Sequence, residues 1–439
     1  MARTVAGLPA GTRLPDYISL GVLTQAVPLP TIHAVLADTG RTSARQRDLP
    51  AHVMVYYVIA LALYAGVATR EVLRCLLEGV RWLLGPDAAL EPAGKSGISQ
   101  ARTRLGAAPL AQLYTRVVQP IATPATVGAW YRHGPRAWRV MSLDGTTLDV
   151  ADTAANRRAF GRPGAWRGAS AFPQLRLVGL VETGTHVVVG ATLGSCRTGE
   201  LTLARAVLPH LTPEMLCLAD RGFLGFDLWH EAAATGAALL WRAPATFTLP
   251  CEERYADGSY RSTLRWHGRC RTADRTPIPV RVIEYTLPDV PGVATRYRLV
   301  TTLRDPTTAP AAELAALYHE RWEIETAFDE LKTHLRGAGV VLRSKTPELV
   351  RQEAYGLLLA HYALRGLMHE AALTQGRDPD TLSFTHAVHV ARRTLPRFAA
   401  VSPSGPAPAP RGDPHRTARR TGECSARASG AARRETQAE

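Results

Sequence analysis

The chain has 439 residues, more than one hydrophobic core ordinarily fills, so two or three domains are expected. An apolar share of 46% and a charged share of 21% exclude a chain that is disordered throughout. The 52 Lys and Arg against 38 Asp and Glu leave a formal charge of +14, which favours a polyanionic partner such as nucleic acid, although an anionic membrane surface would suit the same sign. Cys75, Cys196, Cys217, Cys251, Cys270 and Cys424 form no C-x-x-C pair, which argues against a disulfide framework and a zinc ribbon and fits a reducing cytoplasm. The first residues show no positive-then-apolar leader, and the most apolar run, Val53 to Val67, falls short of the roughly 20 residues a membrane span needs. That run is expected to be a buried helix, with no membrane partner.

From Ile18 to about Val118 the apolar positions recur with helical spacing, which predicts an all-α first domain. In KSGISQARTRLG the small residues Ser96 and Gly97 read as a turn before a helix that carries Arg102 and Arg104. A helix-turn-helix DNA reader and an ordinary helix pair with solvated arginines account for this equally well. After the Gly-, Pro- and Arg-rich stretch 128–136, the runs WRVMSLDG, LRLVGLVETG and THVVVGATLG predict three consecutive strands. Helices in GELTLARAVLPHL and GFDLWHEAAATG alternate with strands in MLCLA and AALLWRAP, the pattern of a mixed sheet with helices on its faces. A β-leaning stretch, about 244–300, interrupts this. Two long helices follow, Ala311 to Leu335 and Pro347 to Leu373. Beyond Pro403 large apolar residues are almost absent, so a disordered basic tail is expected.

Three acids stand out. Asp144 follows WRVMSL and precedes Gly145, and Asp220 follows MLCLA and precedes Arg221 and Gly222. An acid at the C-terminal end of an apolar strand faces the crevice where α/β sheets bind ligands, although Asp-Gly is also an ordinary turn. Asp149 and Asp152 read as turn residues past the same strand. The third acid, Glu325, lies in YHERWEIETAFDELK. At about 100° per residue, with Tyr318 at zero, Arg321, Glu325 and Lys332 fall near roughly 300°, 340° and 320°. They form one polar stripe beside the apolar face of the helix. A solvated face with an Arg321–Glu325 ion pair is the plainer reading of this segment alone. Together the three acids make an oxygen-donor set suited to Mg²⁺ or Mn²⁺, and paired ions in such a set activate an attacking oxygen and stabilise the leaving oxygen of a phosphodiester. The 14 histidines show no H-E-x-x-H spacing, so no zinc hydrolase is indicated.

SLDGTTLDV, CLADRGF and the spacing Y-x2-R-x3-E-x6-K resemble the DDE transposases of bacterial insertion sequences, in the branch with a Y-R-E-K signature, the insertion-element-four family. RTSARQRDLPAHVMVYYVIALAL, KSGISQARTRLG and RSKTPELVRQEAYGLLLAHYALR resemble other parts of that family, so the likeness covers about residues 15 to 375. It implies a helical DNA-binding domain over 1–135, a ribonuclease H-like catalytic domain over 136–375 with its β insertion at about 244–300, and a largely disordered C-terminal region over 376–439. It further implies that Asp144, Asp220 and Glu325 hold Mg²⁺ or Mn²⁺, as two ions. The implied activity is cut-and-paste transposition, with nicking, hairpin formation and strand transfer. Tyr318, Arg321 and Lys332 would contact phosphates, and an aromatic residue of the insertion would hold a flipped base. Tyr297 is the candidate by spacing, with Trp241 and Trp266 as alternatives and a plain strand tyrosine as the simpler reading. The implied partners are double-stranded DNA at the terminal inverted repeats, target DNA, and a second copy of the chain.

Two other readings stay open: a catalytically inactive DNA-binding derivative, and a ribonuclease H-like nuclease that only hydrolyses. The complete set of acids speaks against the first, and the N-terminal helices and the insertion speak against the second.

Overall fold

The computed structural model describes residues 21–43, 49–84, 93–165, 168–266, 276–286 and 296–394. They fall into two compact units, one drawn from residues 21–117, 330–340 and 348–394, the other from residues 118–329 and 341–347. These units are not consecutive segments, so they cross the boundaries at 135 and 375 expected from sequence.

The first unit opens with helices α1 (Gly21–Ala26), α2 (Leu29–Asp38), α3 (Ala51–Leu63), α4 (Thr69–Leu84), α5 (Lys95–Leu105) and α6 (Ala108–Val117). Pro28 and Pro50 stand at the N-caps of α2 and α3, where a missing N–H costs no helical bond. Every residue of α3 from Val53 to Leu63 is buried, which is why its sequence shows no polar face. Among the described residues no helix is long and apolar enough to cross a membrane.

The second unit runs β1 (Trp130–His133), β2 (Arg136–Asp149), α7 (Ala154–Phe160), β3 (Gly164–Ala165), β4 (Gly168–Ala169), β5 (Gln174–Glu182), β6 (Val187–Ser195) and α8 (Glu200–Arg205). It continues through β7 (Met215–Ala219), α9 (Phe226–Ala234), β8 (Ala238–Arg242), β9 (Glu253–Arg254), β10 (Tyr260–Leu264), β11 (Ile278–Thr286), β12 (Arg296–Thr301), α10 (Ala311–His319) and α11 (Glu323–Asp329). Ten of these strands share one sheet, in the order β6-β5-β2-β7-β8-β12-β11-β10-β9 with β1 beside β2. The three runs expected as consecutive strands are β2, β5 and β6, paired antiparallel. β7 and β8 then add in parallel to β2, each reached through a helical crossover. The β-rich stretch at about 244–300 continues this sheet, because β12 pairs with β8 and β11 with β12.

One face of the sheet buries Trp138 and Val140 of β2, Leu216 and Leu218 of β7, and Ala238 and Leu240 of β8 against Leu314, Leu317 and Tyr318 of α10. The N-terminus of α10 is tied to the insertion, since the carboxylate of Asp257 accepts the Ala311 N–H at 3.0 Å and pairs with the buried Arg281.

Past Asp329 the chain returns to the helical unit. Residues Glu330–Leu335 wind as a wider π-type turn, and α12 (Pro347–Thr374) and α13 (Phe384–Thr394) follow. α12 lies close against α3, because a Cβ on Gly356 would come within 2.8 Å of the Val58 carbonyl oxygen. Two expectations are corrected here. Ser96 and Gly97 lie inside α5 and form no turn before it. Arg102 is buried and binds the Gln352 side chain at 2.8 Å and the Leu349 carbonyl at 3.3 Å, so its guanidinium clasps α5 to α12 and is not offered to DNA. Arg104, two residues further on, is exposed. Within the region expected to be largely disordered over 376–439, Phe384–Thr394 form α13, and the tail beyond 394 lies outside the described residues.

Candidate active site

Alternation along the strands decides where the aspartates point. Successive strand residues face opposite sides, so Asp144 shares a face with Trp138 and Val140, and Asp220 shares one with Leu216 and Leu218. That is the face covered by α10. In the parallel pairing of β2 with β7, Leu143 stands opposite Ala219, which brings the next residues, Asp144 and Asp220, to one level on neighbouring strands.

The strand does not end at Asp144, as the Asp-Gly signal suggested. β2 continues to Asp149, with Asp144 opposite Gly179 of β5; it is the parallel neighbour that stops. Asp149 is therefore a strand residue that accepts from the Gln174 amide at 2.8 Å, and Asp152 pairs with Arg162 and Arg157. Gly179 leaves room above it for Phe328 of α11, whose ring would lie 3.3 Å from a Cβ at that position. This close approach seats α11, and with it Glu325, over the strand that carries Asp144. The first turn of α11 is held a second way, by Glu323, whose carboxylate lies 2.9 Å from Nε2 of the buried His186 in the β5–β6 turn.

Each aspartate accepts the N–H of its successor, Asp144 from Gly145 at 2.7 Å and Asp220 from Arg221 at 2.6 Å. Arg321 stands between two of the acids, 3.5 Å from Asp144 and 3.4 Å from Glu325. Both contacts are long for charged pairs, and its buried Nε–H has no partner. Burial raises the Asp144 pKa to about 6; the Gly145 N–H and Arg321 oppose this, while Asp220 and Glu325 add to it. The donors are all carboxylate oxygens, and the Arg321 guanidinium meets two of the three acids. A set that already favours a proton on Asp144 fits a divalent cation as its further positive charge.

The remaining expected residues divide. Tyr318 is buried and donates its hydroxyl to the Ala219 carbonyl at 3.2 Å, which braces the end of β7. The stripe drawn on one ideal helix is not continuous, because residues 320–322 form a tighter 3₁₀ turn between α10 and α11. Lys332 lies on the π-type turn, in the other unit. Tyr297 on β12 stacks with Tyr285 at a ring separation of 5.3 Å and carries Arg242 at 4.2 Å. Its ring is thus flanked by Tyr285 of β11 and by the guanidinium of Arg242 at the end of β8. Trp241 is fully buried against Trp229, which removes it as a base platform, and Trp266 is half-buried just past β10. Sequence reasoning passed over Trp322, a residue 56% exposed whose ring lies 5.3 Å from the Arg321 guanidinium. Its place in the signature segment, one residue after Arg321, was the available signal.

Residues 17–115 match the family described as insertion element 4 transposase N-terminal, and residues 137–363, more than half the chain, match the transposase DDE domain. The chain belongs to the DDE transposases of the insertion-element-four family. The DDE match spans all three acids. A relative in Escherichia coli (strain K12), the transposase InsG for insertion sequence element IS4, is 26% identical over 402 residues, 89% of this chain and 84% of that one. The putative transposase InsZ of the same organism is 24% identical over 236 residues, 53% of this chain and 74% of its own. A solved piggyBac transposase synaptic complex with hairpin DNA is a more distant likeness, at 10% identity and a TM-score of 0.45 over 87% of this chain and 79% of that one. Membership of the DDE transposases makes the chain a DNA transposase, a DNA-cleaving enzyme, and implies use of a divalent metal.

Proposed function

We propose that this transposase excises and reinserts its insertion sequence by a cut-and-paste route, with Asp144, Asp220 and Glu325 as the catalytic acids on a ribonuclease H-like core. The observation that carries the reading is the convergence of the two aspartates at one level and on one face of β2 and β7, beneath the helix that bears the glutamate. The core assignment is supported by the strand order, an antiparallel β6-β5-β2 followed by parallel β7 and β8.

Bound at these acids, two Mg²⁺ or Mn²⁺ ions would supply activation of the attacking oxygen and stabilisation of the leaving one. A water oxygen first joins the phosphorus at the element end as the bond to the 3′-oxygen breaks, freeing a 3′-hydroxyl. That hydroxyl attacks the opposite strand to close a hairpin, and a second water reopens it before strand transfer into target DNA. The chain's own part is placement. Arg321 offers positive charge between two of the acids, where it would attract a phosphate oxygen. Tyr318 braces the strand end beneath Asp220. The ring open to stacking beside this set is Trp322 rather than Tyr297. Lys332 and the exposed Arg104 would add phosphate contacts, and the formal +14 charge favours DNA along the surface. Two copies of the chain would hold two terminal repeats in the bacterial cytoplasm.

The test is incubation of DNA carrying the element's ends with Mg²⁺ or Mn²⁺. Nicks and hairpins from the parent, absent from Asp144→Asn, Asp220→Asn and Glu325→Gln that still bind the ends, support the reading. A parent that binds and never cuts with either metal identifies an inactive DNA-binding derivative. Cutting that yields only hydrolysed ends, with no joined product, identifies a nuclease.

A further inference from the structure

β8 ends on Arg242. In the pairing of β7 with β8, Ala219 stands opposite Trp241, just as Leu143 stands opposite Ala219 one strand over. One residue further on, Asp144, Asp220 and Arg242 therefore occupy the same rung of three adjacent parallel strands. Alternation puts Arg242 on the face of Ala238 and Leu240, the face covered by α10. The arginine thus shares both level and face with the two aspartates. It is also within electrostatic reach of the Tyr318 hydroxyl, which is bonded to the carbonyl of Ala219.

Neighbouring arginines of this sheet have evident partners. Arg281 is bonded to Asp257, Ser259 and the Ala309 carbonyl, and Arg298 to the carbonyls of Pro244, Ala245 and Phe247. Arg242 is different. Its guanidinium lies 4.2 Å over the Tyr297 ring, that ring is stacked in turn on Tyr285, and among the described residues no carboxylate forms an ion pair with it. A guanidinium stacked on an aromatic ring is held flat, and its N–H edge remains available for planar, charge-assisted bonds to an anion. The anion that belongs beside a phosphodiester-cutting rung is another phosphate of the same strand.

We propose that Arg242 holds a backbone phosphate of the DNA strand adjacent to the cleaved bond, as a positioning residue pre-oriented by the Tyr297–Tyr285 stack. This rests on the DNA-cutting reading of the acid rung. It assigns the two tyrosines to the protein's own scaffold and gives the strand a direction, from the aspartates toward β8 and β12.

The experiment uses full-length protein and a duplex bearing one of the inverted repeats that flank this coding sequence, with single neutral methylphosphonates placed in turn around the cut. Arg242→Ala is expected to cut about 10- to 100-fold more slowly, the scale of a misplaced substrate. Its log–log salt slope for end binding should be shallower by about 0.9, the share of one phosphate contact. One methylphosphonate should slow the parent and leave the variant's rate unchanged. Arg242→Lys should keep the salt slope and lose rate, since it retains the charge without the flat stack. Parental rate and slope in Arg242→Ala, or a methylphosphonate profile identical in both proteins, overturns the inference. Should the alanine variant melt early, Arg242→Lys and the methylphosphonate profile give the same reading in folded protein. A parent that never cuts overturns the reading of the rung itself, and the salt slope then still reports on Arg242.

Discussion

Two arginines of the sheet unit meet carboxylates in opposite ways. Arg139 is bonded to Glu182, which is wholly buried and also accepts the N–H groups of Ile121 and Ala122 at 3.0 Å and the Thr185 hydroxyl. Arg139 itself reaches the Ala122 carbonyl and lies over the Trp130 ring. Every charge there is answered at short range. Arg321, by contrast, stands 3.4–3.5 Å from two acids, leaves its Nε–H unpartnered, and lies beside an aspartate shifted toward protonation. Buried polar groups that fold a protein are satisfied; groups left short of partners mark a place arranged for something else. The first cluster holds the sheet together, and the second is the one proposed above to hold metal and meet DNA.

The sharpest break between the two clusters lies in activity. Replacing Asp144, Asp220 or Glu325 by its amide should cut the cleavage rate by more than about 10³-fold while end binding in a gel-shift assay persists. Glu182→Ala should do the reverse. It leaves the half-buried Arg139 and the N–H groups of Ile121 and Ala122 without their carboxylate and should lower unfolding free energy by about 2–4 kcal/mol, read by urea titration; a loss below about 1 kcal/mol would place Glu182 outside the structural class.

A subtler difference concerns sign. Because folding raises the Asp144 pKa from 3.8 to about 6, the folded state keeps this proton over a range where the unfolded chain has lost it. Stability of metal-free protein should therefore fall as pH rises from about 4 to about 6 and then level off, since stability declines where the folded state binds more protons. Asp144→Asn removes that segment of the curve and should be more stable than the parent at pH 7 by roughly 2–3 kcal/mol, as about two pKa units imply. Millimolar Mg²⁺ should raise the parent's Tm and leave the variant's nearly unchanged. A variant less stable than the parent at pH 7 would mean that Asp144 belongs with Glu182. The smallest expected effect is at Tyr318→Phe, which bares the Ala219 carbonyl and should cost about 1 kcal/mol, with cleavage reduced in proportion to how far the end of β7 moves.

The parts that could be read from sequence are those governed by local periodicity. Alternation and the apolar runs marked the strands before Asp144 and Asp220, and residue spacing marked the segment around Glu325. What escaped depends on partners far along the chain. Arg102 looked solvated because Gln352, which binds it, stands some 250 positions away. Asp144-Gly145 looked like a turn because nothing local announces that β5 keeps pairing past it. Arg242 belongs to no spacing pattern; its place on the rung follows only from two parallel registers. The ideal-helix angles placed Arg321 and Glu325 together correctly, but they could not foresee the change of winding from 3₁₀ to α to π between 320 and 335.

The shared parity of Asp144 and Asp220 restricts how this gene can vary. A strand repeats every two residues, so one residue gained or lost between Val140 and Gly145, or between Leu216 and Asp220, would turn the acid to the opposite side of the sheet. That side is occupied next to Gly145 by Glu200. The connection between β8 and β12 has no such constraint. Length changes among relatives should therefore accumulate around residues 244–300 and be missing from β2 and β7, so that an alignment gap in either strand would itself mark a copy that no longer cuts.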